Sequence, residues 1–159
     1  MALTRRSHEV VSRTGIVFVD TNVLLAATEP RRADHEAAKR VLDDWPKRGV
    51  RLCTSGQILR EYLVVATRPV EVNGLGLNVA NARENVAAIR ARMRFLEETF
   101  SVFARLQALL GSVDCSGKQV HDANVVATAL THDVESLVTA NVDDFLRFDN
   151  FVQVLALDD

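Results

Sequence analysis

The sequence has 159 residues, of which 48% are hydrophobic and 25% charged, so it can bury a core without structural disulfides or metals. No apolar run approaches the roughly 18 residues of a membrane-spanning helix. Residues 1–14 lack the apolar segment of a secretory signal, and we therefore expect a cytoplasmic protein. The net charge is −2, yet the chain carries 8 acidic and 2 basic residues from Lys118 onward, against 13 acidic and 17 basic before it. This division fits a cation site beside a phosphate-binding surface, and it equally fits an ordinary solvated surface.

The first third of the chain predicts strands alternating with helices. Residues 1–14 are expected to be a frayed, basic lead-in, and residues 15–159 to form one domain. Residues 15–19 are continuously apolar and rich in β-branched side chains, which is typical of a strand buried on both faces in a parallel sheet. The elements predicted next are a helix from residue 23, a helix over 33–45, a strand over 50–53 and a helix over 55–67. The last helix follows Thr54-Ser55-Gly56-Gln57, which has the form of a capping box.

The remainder of the chain continues the alternation. The predicted elements are a loop over 70–77, an amphipathic helix over 79–96, a short extended piece over 100–102, a helical turn or two over 105–110, a loop over 111–117, a nearly all-apolar helix over 118–132, a strand over 136–139, a short helix over 143–148 and a strand over 152–155. Alternating strands and helices predict an α/β fold, an α/β/α sandwich on a mostly parallel sheet.

The first unusual acid is Asp20, which directly follows the predicted buried strand. Ligands of open parallel sheets bind outside the carboxyl ends of the strands, so Asp20 stands where a catalytic acid is expected. An aspartate at this point is also a good N-cap for the next helix. Both interpretations stay open for this residue taken alone.

Two further acids lie on predicted helices. Asp122 is in the first turn of the nearly all-apolar helix, and a carboxylate in a central helix must be paired, protonated or bound to a metal. Its alternative role is to stabilise the positive end of the helix dipole. Glu61 lies mid-helix beside an apolar stripe, and its alternative role is a solvated surface residue.

A last acidic cluster follows the predicted strand over 136–139. Asn141 and Asp144 are the candidate functional residues, whereas Asp143 is expected to face solvent or to cap the next helix. Carboxylates gathered at one end of a sheet repel one another unless a cation neutralises them. Oxygen ligands without clustered histidines favour Mg²⁺ or Mn²⁺ over zinc.

Four segments together resemble the PIN domain family, in particular the VapC-like toxin ribonucleases of bacterial type II toxin–antitoxin pairs. The matching segments, in family order, are Val19-Asp20-Thr21-Asn22-Val23-Leu24-Leu25, then Gln57-Ile58-Leu59-Arg60-Glu61-Tyr62 continuing to Thr67-Arg68-Pro69, then His121-Asp122-Ala123, and finally Thr139-Ala140-Asn141 with Asp144-Phe145. They cover nearly all the chain after residue 14. The position of the family's fourth acid is occupied here by Asn141.

The resemblance implies a Mg²⁺-dependent endoribonuclease, with Mn²⁺ as a possible substitute. Asp20 and Asp122 would hold the metal, and an activated water would attack the phosphodiester. The residues implied as catalytic are Asp20, Glu61, Asp122 and Asp144. Those implied to support the site or bind substrate are Thr21, Asn22, Asn141, Lys118 and His121.

The resemblance also implies partners: an RNA substrate, a homodimer and a cognate small antitoxin. The apolar faces around residues 23–25, Ile58-Tyr62-Val65 and the 79–96 helix are hypothesised to provide a groove for the antitoxin. Two other functions stay open, a PIN-like domain that binds RNA or protein without cutting, and a housekeeping RNA-processing nuclease. A haloacid-dehalogenase-type phosphatase needs a second aspartate where Asn22 stands, and a phosphate-binding P-loop at Gly111 to Lys118 has the wrong spacing.

Overall fold

The structure is a computed structural model that describes residues 15–159. The predicted lead-in over residues 1–14 lies outside the described residues. The strands are β1 (Ile16–Val19), β2 (Arg51–Ser55), β3 (Arg94–Leu96), β4 (Ser136–Val138) and β5 (Gln153–Leu155). The helices are α1 (Thr21–Thr28), α2 (His35–Asp43), α3 (Gly56–Ala66), α4 (Val79–Arg92), α5 (Phe100–Ser112), α6 (Gln119–Thr131) and α7 (Val142–Phe145). Short 3-10 turns lie at Pro46–Arg48, Val70–Val72 and Leu146–Phe148.

The five described strands form one sheet in the order β3-β2-β1-β4-β5, and every neighbouring pair is parallel. Helices flank this sheet, which confirms the predicted α/β/α sandwich. The chain runs from β1 outward through β2 to β3, and then returns to the other side of β1 with β4. The order of strands therefore reverses between β1 and β4, the point where open parallel sheets bind ligands.

The central strands carry the core. Val17, Phe18 and Val19 of β1 are buried, as are Leu137 and Val138 of β4. A parallel strand covered by helices on both faces needs such a continuous apolar run, and not an alternating one. No helix between residues 15 and 159 combines the length and apolar character needed to cross a membrane.

The boundaries around β3 differ from the prediction. The helix expected to reach residue 96 ends at Arg92, and Met93 adopts an extended conformation. Arg94–Leu96 instead pairs with residues 53–55 of β2 as an edge strand. The sheet gains backbone hydrogen bonds there, and this tertiary pairing overrides local helix propensity.

The segment after β3 also differs. Residues 100–102, expected to be extended, form the first turn of α5, and the helix continues through Ser112 into the predicted 111–117 loop. The helical interpretation explains the spacing of its core side chains, because Val102 and Leu109 are buried one above the other on the same face. An apolar triplet cannot distinguish a strand from a helix by periodicity alone.

Two of the three faces hypothesised to form a groove for the antitoxin are wrong, because they are buried. The side chains of Val23, Leu24 and Leu25 are buried in the core, as are those of Ile58 and Tyr62. These faces pack inside the described part of the molecule and are not available to a partner. The third hypothesised face, on the 79–96 segment, stays exposed at Val79 and Phe95, and the most exposed large apolar side chain is Phe100 at the start of α5, at 82%.

Candidate active site

The site begins at the carboxyl ends of β1 and β4. Asp20 follows β1 and its amide donates to the carbonyl of Val138 at 3.0 Å, which extends the pairing of the two strands. Asp20 is the N-cap of α1, since its Oδ1 accepts from the Thr21 amide at 2.8 Å. Its Oδ2 accepts from the Thr139 hydroxyl, also at 2.8 Å. The capping and catalytic interpretations are thus compatible, because one carboxylate caps α1 while it faces the strand reversal.

Asn22 joins the loop after β4 to α1. Its Nδ2 donates to Thr139 Oγ1 at 3.2 Å, and its Oδ1 accepts from the Ala140 amide at 3.0 Å. Thr139 Oγ1 also accepts from the Asn141 amide at 3.0 Å. With both lone pairs occupied, the Thr139 hydroxyl proton is directed to Asp20. Asn22 therefore orients the Thr139 hydroxyl, which in turn orients the Asp20 carboxylate.

Glu61 approaches from α3. Its Oε2 accepts from the Thr21 hydroxyl at 2.9 Å, and its Oε1 accepts from Gln57 Nε2 at 3.0 Å. Thr21 consequently contacts two acids, Asp20 through its amide and Glu61 through its hydroxyl. Glu61 is half-buried and directed at the site, and is not simply solvated.

Asp122 and Asp144 complete the group of acids. Asp122 lies half-buried in the first turn of α6, and Asp144 lies exposed on α7. Among residues 15–159, no side chain donates a hydrogen bond or forms an ion pair with either carboxylate. Asp144 and Asn141 line an open cleft of about 440 Å³ together with Ala140, Val142 and Asp143.

The acids perturb one another electrostatically. Burial raises the pKa of Asp20 from its ordinary 3.8 to about 6, against the hydrogen bonds from Thr139 and Thr21, and the charges of Glu61 and Asp144 raise it further. Burial likewise raises the pKa of Asp122 from 3.8 to about 6, and the charges of Asp20, Asp144 and Glu61 add to this effect. Burial and the neighbouring acids thus both disfavour the ionised forms of Asp20 and Asp122.

A divalent cation fits this donor set. Mg²⁺ is bound through oxygen, commonly by one or two carboxylates, with waters and substrate phosphate completing its octahedron. In the described part of the chain, no three His, Cys, Asp or Glu side chains are arranged to hold a metal by themselves. The partly buried, mutually repelling Asp20 and Asp122 match an ion that keeps several of its waters.

The remaining predicted residues surround this group. His121 is exposed in the first turn of α6. Lys118, immediately before the helix, is also exposed, and its carbonyl accepts from the His121 amide at 3.0 Å. Asn141 is exposed at the start of α7. These three side chains are accessible beside Asp122 and Asp144.

Sequence reasoning missed several residues that hold the acids in place. It interpreted Gln57 as part of a capping box, but the N-cap of α3 is Ser55, and the Gln57 side chain is directed to Glu61. The separation of four residues on one helix could have indicated this pair. Thr139 lies in a segment that resembles the family, but no role was predicted for it. Asn124 and Glu98, which contact Gln57, carried no recognisable sequence signal.

The described fold and site define an α/β/α sandwich protein with an acidic cluster at the reversal of strand order. The sequence model of the PIN domain matches residues 17–150, and the chain belongs to the PIN domain family. The resemblance inferred from the four sequence segments is therefore confirmed.

Solved structures with the same fold include a VapC toxin and chains from VapBC structures. The chain is 22% identical, at a TM-score of 0.58, to Mycobacterium tuberculosis VapC20, a sarcin-ricin loop cleaving toxin, covering 76% of this chain and 86% of that one. It is 20% identical, at 0.62, to a chain of VapBC-1 from nontypeable Haemophilus influenzae, covering 91% and 99%. For VapBC2 from Rickettsia felis, bound to a promoter DNA fragment, the identity is 14% and the TM-score 0.65, covering 89% and 98%. No curated protein sequence matches the chain.

Proposed function

We propose that this protein is a Mg²⁺-dependent endoribonuclease that acts in the cytoplasm as the toxin of a toxin–antitoxin pair. Residues 15–159 would form a single PIN-like domain. The observation that carries the proposal is the acidic group at the strand reversal. Thr21 donates to both Asp20 and Glu61, and the charges of Asp20, Glu61 and Asp144 act on Asp122. The likeness in fold to a toxin that cleaves the sarcin-ricin loop supports RNA as the substrate class.

In this proposal Asp20 and Asp122 hold Mg²⁺, with Mn²⁺ as a substitute. The bound ion supplies Lewis-acid activation of the scissile phosphate and of the attacking water. Glu61 and Asp144 orient water molecules around the site through their carboxylate oxygens. Thr21 fixes the relation of Asp20 to Glu61, because it donates to both.

The chain's other polar residues have substrate and supporting roles. Asn22 keeps Thr139 in place, so that Asp20 presents a constant geometry to the ion. The exposed Lys118 and His121 contact the RNA backbone, where a cationic group and a hydrogen-bond donor suit phosphate oxygens. Asn141 replaces the family's fourth acid, and it contributes a neutral amide oxygen or a contact to the RNA.

Assembly with a second copy and with a small antitoxin belongs to the same proposal. Phe100 and Phe103 of α5 are exposed by 82% and 53%, and their ring centroids are 6.5 Å apart. Adjacent exposed aromatic rings on one helix support burial in an assembly. Light scattering of the purified protein tests the homodimer, with Phe100→Asp as the variant expected to weaken it.

Expression in a bacterial host without the neighbouring small gene tests the function. Wild type should arrest growth, Asp20→Asn should not, and co-expression of the small gene should restore growth. RNA 5′-end mapping shortly after induction should find new ends that are absent from the Asp20→Asn culture. A harmless wild type that is active when purified alone would identify a housekeeping nuclease, and a protein that binds RNA without new ends would identify a binding domain.

A further inference from the structure

Gln57 connects the two helices that bring Glu61 and Asp122 to the site. Its Nε2 donates to Glu61 Oε1 at 3.0 Å and also to the carbonyl of His121 at 3.0 Å. That carbonyl belongs to the peptide bond immediately before Asp122. One amide group thus links the acid of α3 to the backbone that carries the acid of α6.

The orientation of the Gln57 amide is fixed by its neighbours. Both of its N–H groups are used, and its Oε1 accepts from Asn124 Nδ2 at 2.7 Å. A flipped amide would place its oxygen against the Glu61 carboxylate and the His121 carbonyl, with its NH₂ against the NH₂ of Asn124. All three contacts would then be repulsive. Gln57 is 3% exposed, so water cannot compensate for the lost hydrogen bonds.

Glu98 completes this arrangement from the loop between β3 and α5. Its Oε1 accepts from Asn124 Nδ2 at 2.8 Å, and its Oε2 accepts from the backbone N–H of Gln57 at 3.0 Å. The Glu98 carboxylate places a negative charge at the N-terminus of α3, where it stabilises the positive end of the helix dipole. Gly56 leaves room for it, because a Cβ at this position would lie 3.3 Å from Glu98 Oε2.

We propose that Gln57 is a positioning residue for Glu61, and that Glu98 and Asn124 act on the site by fixing Gln57. Asn124 donates to the side-chain amide of Gln57, and Glu98 accepts from both Asn124 and the Gln57 backbone N–H. Glu98 is therefore an anchor outside the group of acids. With Thr21 on Oε2 and Gln57 on Oε1, the Glu61 carboxylate is held in one plane. Its remaining lone pairs would be available to a bound ion or to the waters around it. This inference rests on the proposed function, of which Mg²⁺ binding and RNA cleavage are separately measurable parts.

Gln57→Met is the main test, because methionine retains the length of the side chain and removes the amide. Mg²⁺ titration calorimetry should show weaker binding, and kcat for RNA should fall, each by roughly 10–100-fold as for other groups that orient ligands. KM for RNA should stay within about twofold, since Gln57 makes no substrate contact. Asn85→Ala is the matched control, because Asn85 donates one amide hydrogen bond to Tyr62 away from the acids. It should leave Mg²⁺ affinity and kcat unchanged.

Glu98 supplies a second variant that does not depend on the tolerance of the core, because its side chain is exposed. Glu98→Ala should weaken Mg²⁺ binding by a smaller factor, and Glu98→Gln, which keeps one acceptor oxygen, by less again. In the Gln57→Met background, Glu98→Ala should cause no further loss, because it acts through Gln57.

Two results would overturn the inference: Gln57→Met with the Mg²⁺ affinity of the wild type, or fully additive losses in the double variant. The proposed function fails separately, if wild type binds Mg²⁺ but leaves RNA uncut. In that case the Mg²⁺ affinities still decide whether Gln57 positions Glu61.

Discussion

Replacing Asp20 by asparagine should change the stability of the metal-free protein in opposite directions at low and high pH. Burial raises the pKa of Asp20 from 3.8 to about 6, so the folded protein binds more protons than the unfolded chain between these values. Its free energy of unfolding must therefore fall as pH rises through this window, and it stays at the lower value above it. The asparagine variant lacks this titration.

The cost of burying ionised Asp20 can be compared with the cost of the hydrogen bond that the asparagine variant loses. A shift of the Asp20 pKa to about 6 corresponds to a cost of about 3 kcal/mol at pH 8, and to only about 0.5 kcal/mol at pH 4. The asparagine retains an oxygen for the Thr21 amide but sets an NH₂ group against Thr139 Oγ1, which costs about 1 kcal/mol. Asp20→Asn should thus be less stable than wild type at pH 4, by about 0.5 kcal/mol, and more stable at pH 8, by about 2 kcal/mol.

Urea unfolding in EDTA measures this difference, with the fluorescence of the single, buried Trp45 as the signal. Asp149→Asn, which changes an exposed acid outside the site, is the control and should follow wild type at every pH. Saturating Mg²⁺ should stabilise wild type, by about 2.7 kcal/mol at a concentration 100 times its Kd, but not Asp20→Asn. A stability difference that is the same at pH 4 and pH 8 would refute the argument that ionised Asp20 is costly in the folded protein.

Three further predictions concern activity. Asp20→Asn and Asp122→Asn should each abolish RNA cleavage while circular dichroism shows that both proteins stay folded. Asn141→Ala should cost less activity than either. Near wild-type cleavage by Asp20→Asn would show that the site is wrongly assigned. EDTA should abolish cleavage and Mg²⁺ or Mn²⁺ should restore it, whereas Ca²⁺ should support turnover poorly because of its looser geometry. Analysis of the RNA ends should find 5′-phosphate and 3′-hydroxyl products. Cyclic 2′,3′-phosphate ends would exclude attack by water. Thr139→Val should lower the cleavage rate by about tenfold or more, as for other residues that orient metal ligands. Thr139→Ser, which keeps the hydroxyl, should remain near wild type. Equal rates for the two variants would assign Thr139 to packing alone.

The acids were predictable because each occupies a position that ordinary packing does not favour. Asp20 ends a buried strand, and Asp122 lies in an almost wholly apolar helix. The parallel sheet followed from the continuous apolar run of β1. The extent of α4 was not predictable, since residues 94–96 become a strand only when β2 is beside them.

The hydrogen bonds that orient the acids could not be read from the sequence. Thr139 and Asp20 are 119 positions apart, and Gln57 and Asn124 are 67 apart. A threonine or a glutamine gives no local sign of which distant group it will contact. The capping-box pattern was in fact misleading at Gln57, because Ser55 is the N-cap and the Gln57 backbone N–H donates to Glu98 from another part of the chain. Such contacts depend on the completed tertiary structure.

The central place of the first strand has a consequence for biosynthesis. β1 needs β2 on one side and β4 on the other, so the nascent chain cannot complete its sheet until the C-terminal part has left the ribosome. Thr139 is made 119 residues after Asp20, which takes about 6 to 24 seconds at the usual rates of synthesis. For part of that interval, after Glu61 is made and before Asp122 is made, the growing polypeptide contains Asp20 and Glu61 without Asp122 or Asp144. On the proposed function, a truncated translation product is harmless to the cell that makes it, and toxicity begins only when the final strands assemble.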